Sequence, residues 1–254
     1  MQILRTGKAI TPLRFCDRLS ITDRFCSEFF RTAASTALAN GRAMARRRRL
    51  FIPGLAQHVI QRGINRADIF HVPGDRDVFL SILHEALSRF SLEVHAYVLM
   101  TNHLHMMATP GDARALPGVM QALGRSYVPY FNKRYARTGG LFNGRYKAFV
   151  VDDERYWFTC MRYIELNPVR AGLVQSPDEY PWSSFHANAQ GIPDFVVTPH
   201  QLYARLGQTS SERERSWRGV CGAALADDEL TEIRSAVAKG RLPARVVFPD
   251  TAGI

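Results

Sequence analysis

The sequence predicts an α+β fold: a ferredoxin-like, split βαβ sandwich with an antiparallel sheet, plus a C-terminal helical appendage. Three observations carry this expectation. Residues 56–62 alternate as a strand does, and 92–100, 103–109 and 147–151 read as strands. Apolar residues recur with helical period at residues 75–90, 115–137 and 152–166. In chain order these segments run β-α-β-β-α-β-α, whose first six members are the split βαβ arrangement. In that layout helices cover one face of the sheet and leave the other free to bind something.

Each element has a local reason. Ala56-Gln57-His58-Val59-Ile60-Gln61-Arg62 alternates as a strand does. Val78, Leu80, Ile82, Leu83, Ala86, Leu87 and Phe90 form the apolar face of the first helix. Thr101-Asn102 is a natural tight turn between the second and third strands. The 115–137 helix contains Pro117 and Pro129, which limit its ends or kink it, and Gly139-Gly140 breaks it. Asp152-Asp153-Glu154 suits a helix start, where carboxylates meet the positive end of the dipole. That helix should run to about Leu166, because Pro168 disfavours helical geometry at Asn167. Further helices are expected at 199–206, 211–224 and 227–239.

Composition bounds the function classes. A hydrophobic fraction of 46% with 11% aromatic residues suffices for a real core. No run of about 18 apolar residues exists, so no membrane span is expected. Cys16, Cys26, Cys160 and Cys221 are scattered without a C-x-x-C, which fits reduced thiols and a cytoplasmic location. The net charge of +10 is unevenly placed. Residues 1–50 hold 11 Lys and Arg against 3 Asp and Glu, whereas residues 51–254 hold 22 against 20. Any nucleic-acid site must therefore be a local patch.

Residues 1–43 lack periodicity. They read as a targeting peptide, as a basic arm, or as a disordered or non-native extension upstream of a start at Met44, and the last is favoured. Residues 44–190 are expected to be the functional domain and 191–254 the helical appendage.

The chemistry centres on His103-Leu104-His105. On a strand Leu104 points one way and both imidazoles the other, an arrangement able to hold a divalent metal. Tyr163 and Asn167 are four apart and share a helix face. If that face meets the histidines, one site gains two imidazoles, a carboxamide and a phenol. A phenol can attack a phosphodiester that a metal polarises and holds in line. The alternative is a core tyrosine and an asparagine helix cap.

Several blocks in order make the chain resemble the REP-associated tyrosine transposases, a branch of the single-tyrosine HUH transposases. They are Met44-Ala45-Arg46 through Phe51 and Pro53-Gly54; His58-Val59-Ile60-Gln61-Arg62-Gly63-Ile64-Asn65-Arg66; Tyr97-Val98-Leu99-Met100-Thr101-Asn102-His103-Leu104-His105; Phe142-Asn143-Gly144-Arg145-Tyr146; Tyr163-Ile164-Glu165-Leu166-Asn167-Pro168-Val169-Arg170-Ala171-Gly172; and Pro181-Trp182-Ser183-Ser184. The resemblance implies nicking and rejoining of single-stranded DNA at short palindromic hairpins through a 5'-phosphotyrosine. It implies Tyr163 as nucleophile, His103 and His105 with Asn167 as metal ligands, and Mg2+ or Mn2+ as the ion. Two nitrogen ligands suit Mn2+ better than Mg2+. A monomer or homodimer acting on single-stranded or hairpin DNA, away from membranes, is expected. Two other readings stay open: a non-catalytic nucleic-acid-binding regulator, and a metal nuclease in which water attacks.

Two segments are candidates for DNA contact. Residues 125–147 contain six Lys and Arg, no acid, and interleaved aromatics. Within them Arg145, Tyr146 and Lys147 are the favoured contacts, while Tyr127 and Phe131 read as core. Arg62, Asn65 and Arg66 follow the first strand in a glycine-containing loop. His58, His71, His84, His95, His186 and His200 are assigned no role.

Overall fold

The computed structural model describes residues 52, 54–222 and 227–239. The expected extension at 1–43, the start at Met44 and the last fifteen positions lie outside them.

Strand β1 (Ala56–Arg62) leads through a 3-10 turn at Ile64–Arg66 to helix α1 (Pro73–Arg89). Strands β2 (Leu92–Leu99) and β3 (His103–Pro110) follow, then helix α2 (Ala115–Arg134) and strand β4 (Lys147–Val151). The sheet order is β2-β3-β1-β4, and every neighbouring pair is antiparallel. Strand β3 is thus inserted between β1 and β2, which is the split βαβ arrangement expected.

Alternation divides the strand residues between two cores. Val59, Leu104, Met106 and Ala108 pack under α1 and α2, against Phe79, Leu83, Val119, Leu123, Tyr127 and Phe131. Each such buried side chain contributes roughly 1.5–3 kcal/mol. Helix α2 continues through Pro129 to Arg134, so of the two expected effects, a limit or a kink, Pro129 does not impose the limit. Burial of Tyr127 and Phe131 on either side offsets the lost backbone bond, about 3 kcal/mol.

The opposite face is not left free, and this corrects the sequence expectation. Ala56, Val98, Met107 and Val151 are covered by Trp157, Cys160, Met161 and Ile164 of helix α3 (Glu154–Glu165). Tyr203, Trp217, Cys221 and Ile233 complete this second core. They come from α6 (Gln201–Ala204), α7 (Ser210–Gly222) and α8 (Asp227–Lys239). Between α3 and α6 the chain forms two short helices absent from the sequence reading, α4 (Asn167–Arg170) and α5 (Phe185–Gln190). The β2 edge is closed as well, since Leu99 N donates to Trp182 O and Thr198 N to Val94 O. Among the described residues no helix is long and apolar enough to cross a membrane.

Two connections matter for the site. Strand β4 and α3 are separated only by Asp152 and Asp153. The Asp153 carboxylate accepts from Tyr156 N at 2.8 Å, capping α3 as the acidic run predicts. After β1, Gly63 is pinned: a Cβ there would lie 2.1 Å from Ala67 O and 2.9 Å from Ile69 Cγ2. Gly63→Ala is therefore expected to destabilise the fold by about 1–3 kcal/mol, because backbone must move. A urea midpoint equal to that of the unsubstituted chain would contradict this.

Candidate active site on the second sheet face

The antiparallel register sets Arg62 opposite His103 and Ile60 opposite His105. Since alternate residues share a face, His58, Arg62, His103 and His105 all project to the α3 side, as does Lys147 opposite Ile60. Helix α3 brings Tyr163 onto this group. Its ring centre lies 5.7 Å from that of His105 and 6.1 Å from that of His58, edge to face. The expected meeting of the tyrosine helix with the histidine pair is thus what the fold produces. Asn167 opens α4, buried, past the break at Leu166.

His58 belongs to this cluster although the sequence assigned it nothing. It is fully buried, and its Nε2 lies 2.8 Å from His105 Nδ1. Its other nitrogen, Nδ1, has no hydrogen-bond partner among the described residues. His103 Nδ1 lies 2.6 Å from Asn102 Oδ1. Two guanidinium groups flank the imidazoles. Arg62 is only 7% exposed, and its Nη1 has no partner among the described residues. Arg170 of α4 lies over the Tyr163 ring, 4.1 Å from its centre, and donates to Tyr163 O at 3.4 Å.

Burial holds the imidazoles neutral. It lowers His58 to about 3. Burial and then the Arg62 charge lower His103 to about 3. His105 is pushed well below the usual range by burial and by the neighbouring His103, His58, Arg62 and Arg170. Neutral imidazole is the form that ligates a metal.

The folded-state values lie below the unfolded value of 6.5. The stability these groups confer is therefore complete above pH 6.5 and lost as pH falls toward the folded values. Each buried histidine should cost about 2 kcal/mol between pH 7 and pH 5. Glu165, raised by burial, titrates with the opposite sign, so the comparison is between variants. His58→Gln should flatten the acid-side loss by about 2 kcal/mol in urea melts. An unchanged pH profile would mean that His58 takes up a proton inside the fold.

Among the described residues no group of three or more His, Cys, Asp or Glu is arranged to hold a metal. The histidine pair nevertheless fits a partial shell. An ion about 2.1 Å from each imidazole nitrogen lies about 3.3 Å from each ring centre, so rings sharing it stand about 5 Å apart. The centres of His103 and His105 are 5.1 Å apart. Their Nδ1 atoms are engaged by Asn102 and His58, as the outer nitrogens of ligand histidines usually are.

The expected DNA contacts separate. Asn65 and Arg66 are exposed on the loop after β1, both with positive φ, 51° and 62°. Arg145 is exposed beside β4, and Lys147 is half-buried on the histidine face. Tyr146 is a correction. It is 8% exposed and packs in the first core, on the far side of the sheet, where its ring cannot stack on a base. The aromatics of α2 are likewise committed. Tyr127 and Phe131 are core, and Tyr130 and Tyr135 donate to the buried Asp75.

Comparison with known proteins adds three findings. The sequence profile of the IS200-like transposases matches residues 52–167. Among solved structures, one described as a REP-associated tyrosine transposase bound to a REP hairpin is similar at 18% identity and a TM-score of 0.47, over 62% of this chain and 93% of that one. A putative transposase from Deinococcus radiodurans R1 is similar at 19% identity and a TM-score of 0.34, over 44% and 89%. No curated protein matches the chain.

Proposed function

We propose that the chain is an IS200-like transposase, a reading supported by the profile match over residues 52–167, and that it nicks and rejoins single-stranded DNA near short hairpins, with Tyr163 as the nucleophile. The observation that carries this reading is the packing of the Tyr163 ring against His105, with Arg170 stacked over the Tyr163 ring. The hairpin preference rests on the resemblance of the sequence blocks given above.

In this reading the Tyr163 phenol oxygen bonds to phosphorus and the bond from phosphorus to the 3' oxygen breaks. The phenol gives up its proton, and the departing oxygen ends as a 3' hydroxyl. The 5' phosphate stays on Tyr163, so the bond energy is kept for rejoining. A divalent ion would be held by His103 and His105, with Asn167 as the third candidate ligand, and would supply Lewis-acid withdrawal of charge from the phosphate oxygens. Mn2+ suits two imidazole nitrogens better than Mg2+. The Arg170 guanidinium stabilises charge that develops on the phenol oxygen. The buried Arg62, with an unengaged N–H, is placed to receive a phosphate oxygen. Asn65, Arg66, Arg145 and Lys147 hold the strand on either side of the scissile bond.

The test is incubation of the full chain with end-labelled hairpin-bearing single-stranded DNA and Mn2+. A denaturation-resistant protein–DNA adduct that disappears with EDTA is expected. Nicking without an adduct would mean that water attacks, and DNA affinity with neither product would mean a regulator.

A further inference from the structure

The contacts behind the two candidate ligand histidines point to a role that neither the family match nor the sequence blocks assign. Asn102 closes the turn between β2 and β3. Its Nδ2 lies 3.2 Å from Arg66 O, a carbonyl that can only accept. This fixes the amide orientation, because the nitrogen must be the end that faces Arg66. The other end, Oδ1, then faces His103 Nδ1 at 2.6 Å and can only accept from it. His103 therefore carries its proton on Nδ1, and its Nε2 is left with a free lone pair.

At His105 the direction of the bond depends on the tautomers: its Nδ1–H donates to His58 when His58 carries its own proton on Nδ1. Its Nδ1 lies 2.8 Å from His58 Nε2. The His58 ring is fully buried, stacked on His105 at 5.1 Å between centres and enclosed by Phe149 and Tyr163. His58 is the hydrogen-bond partner of His105 Nδ1 among the described residues, and so governs which nitrogen of His105 faces outward.

We propose that Asn102 and His58 are positioning residues for the metal site, each taking the Nδ1–H of one ligand histidine so that both Nε2 lone pairs are presented together. The proposal rests on the metal-binding reading given above. It also makes the loop after β1 part of the support, since Arg66 O orients Asn102.

Two measurements on the full chain test it. The first is the nitrogen-15 and proton correlation spectrum of the histidine rings in the metal-free protein at neutral pH. His103 and His105 are expected as Nδ1–H tautomers. His103 carrying its proton on Nε2 overturns the proposal whether or not a metal binds. The second is Mn2+ affinity, read by electron paramagnetic resonance without DNA. Asn102→Leu is expected to weaken binding by about 10–100-fold. Asn102→Asp keeps the acceptor but loses the donor to Arg66 O, so it should recover part of the affinity lost in Asn102→Leu. His58→Phe should weaken binding to a similar extent, with His58→Gln intermediate. Urea midpoints of the Asn102 variants, measured alongside, separate a loss confined to the site from a loss of the fold. If Asn102→Leu binds Mn2+ as tightly as the unsubstituted chain, the positioning role falls and the metal site stands. If the unsubstituted chain binds no Mn2+, or His103→Ala leaves binding intact, the metal-site reading falls and takes the proposal with it.

Discussion

Tyr163→Phe is expected to abolish the covalent adduct with hairpin DNA and to lower strand cleavage by about four to six orders of magnitude, the scale seen when a nucleophile is removed. The substitution deletes one oxygen and leaves the ring that packs on His105 and under Arg170. Folding, Mn2+ affinity and DNA affinity should therefore be nearly unchanged. The measurement is a denaturing gel of labelled hairpin DNA after incubation with Mn2+. An adduct that persists in the variant would move the nucleophile elsewhere. Tyr156, buried in the second core, is the other tyrosine of α3 that such a result would bring forward.

The second large effect lies in the tail. Glu165 is fully buried on α3, two residues after Tyr163. Its carboxylate accepts from Ser184 Oγ at 2.5 Å, Asn188 Nδ2 at 2.7 Å and Trp217 Nε1 at 2.7 Å. Burial raises its pKa, and the three donors pull it back down. Trp217→Ala should cost about 3–5 kcal/mol through the cavity alone. Trp217→Phe keeps most of the volume and removes one donor, for about 1–3 kcal/mol. The sign of its pH dependence follows from the linkage. A carboxyl raised in the fold is most favourable when protonated, so stability falls as pH rises through the folded value. Removing a donor to the ionised form raises that value further. The deficit of Trp217→Phe should thus be larger at pH 8 than at pH 5, as urea melts at the two pH values would show. Equal deficits would mean that the indole N–H does little for the carboxylate.

The strands and helices were legible because their periods differ and their turn residues are strong. The histidine pair and Tyr163 were legible for the same reason: alternation places two imidazoles on one face, and helical spacing orients the phenol. His58 was not, because its role depends on the β1–β3 register, which a single sequence leaves open. Arg170 lies in a recognised block, yet its stacking depends on the break at Leu166. Tyr146 was misplaced by a local rule passed over. Neighbours on an extended segment point to opposite faces, so Tyr146 and Lys147 could not both line one surface. The covered second face was also readable in part. Trp217 and Cys221, four apart on α7, are an apolar stripe in need of a partner.

The two-residue link from β4 to α3 has a consequence for how this site can vary. A helix advances 100° and about 1.5 Å per residue. Adding or removing a single position at Asp152 or Asp153 would swing Tyr163 a quarter-turn or more away from the histidines. The Glu165 cluster at the other end of the helix resists any such rotation. The length of that link therefore works as a phase setting for Tyr163. Insertions there should be poorly tolerated, whereas the Asp112–Arg114 turn before α2, on the far side of the sheet, should accept them readily.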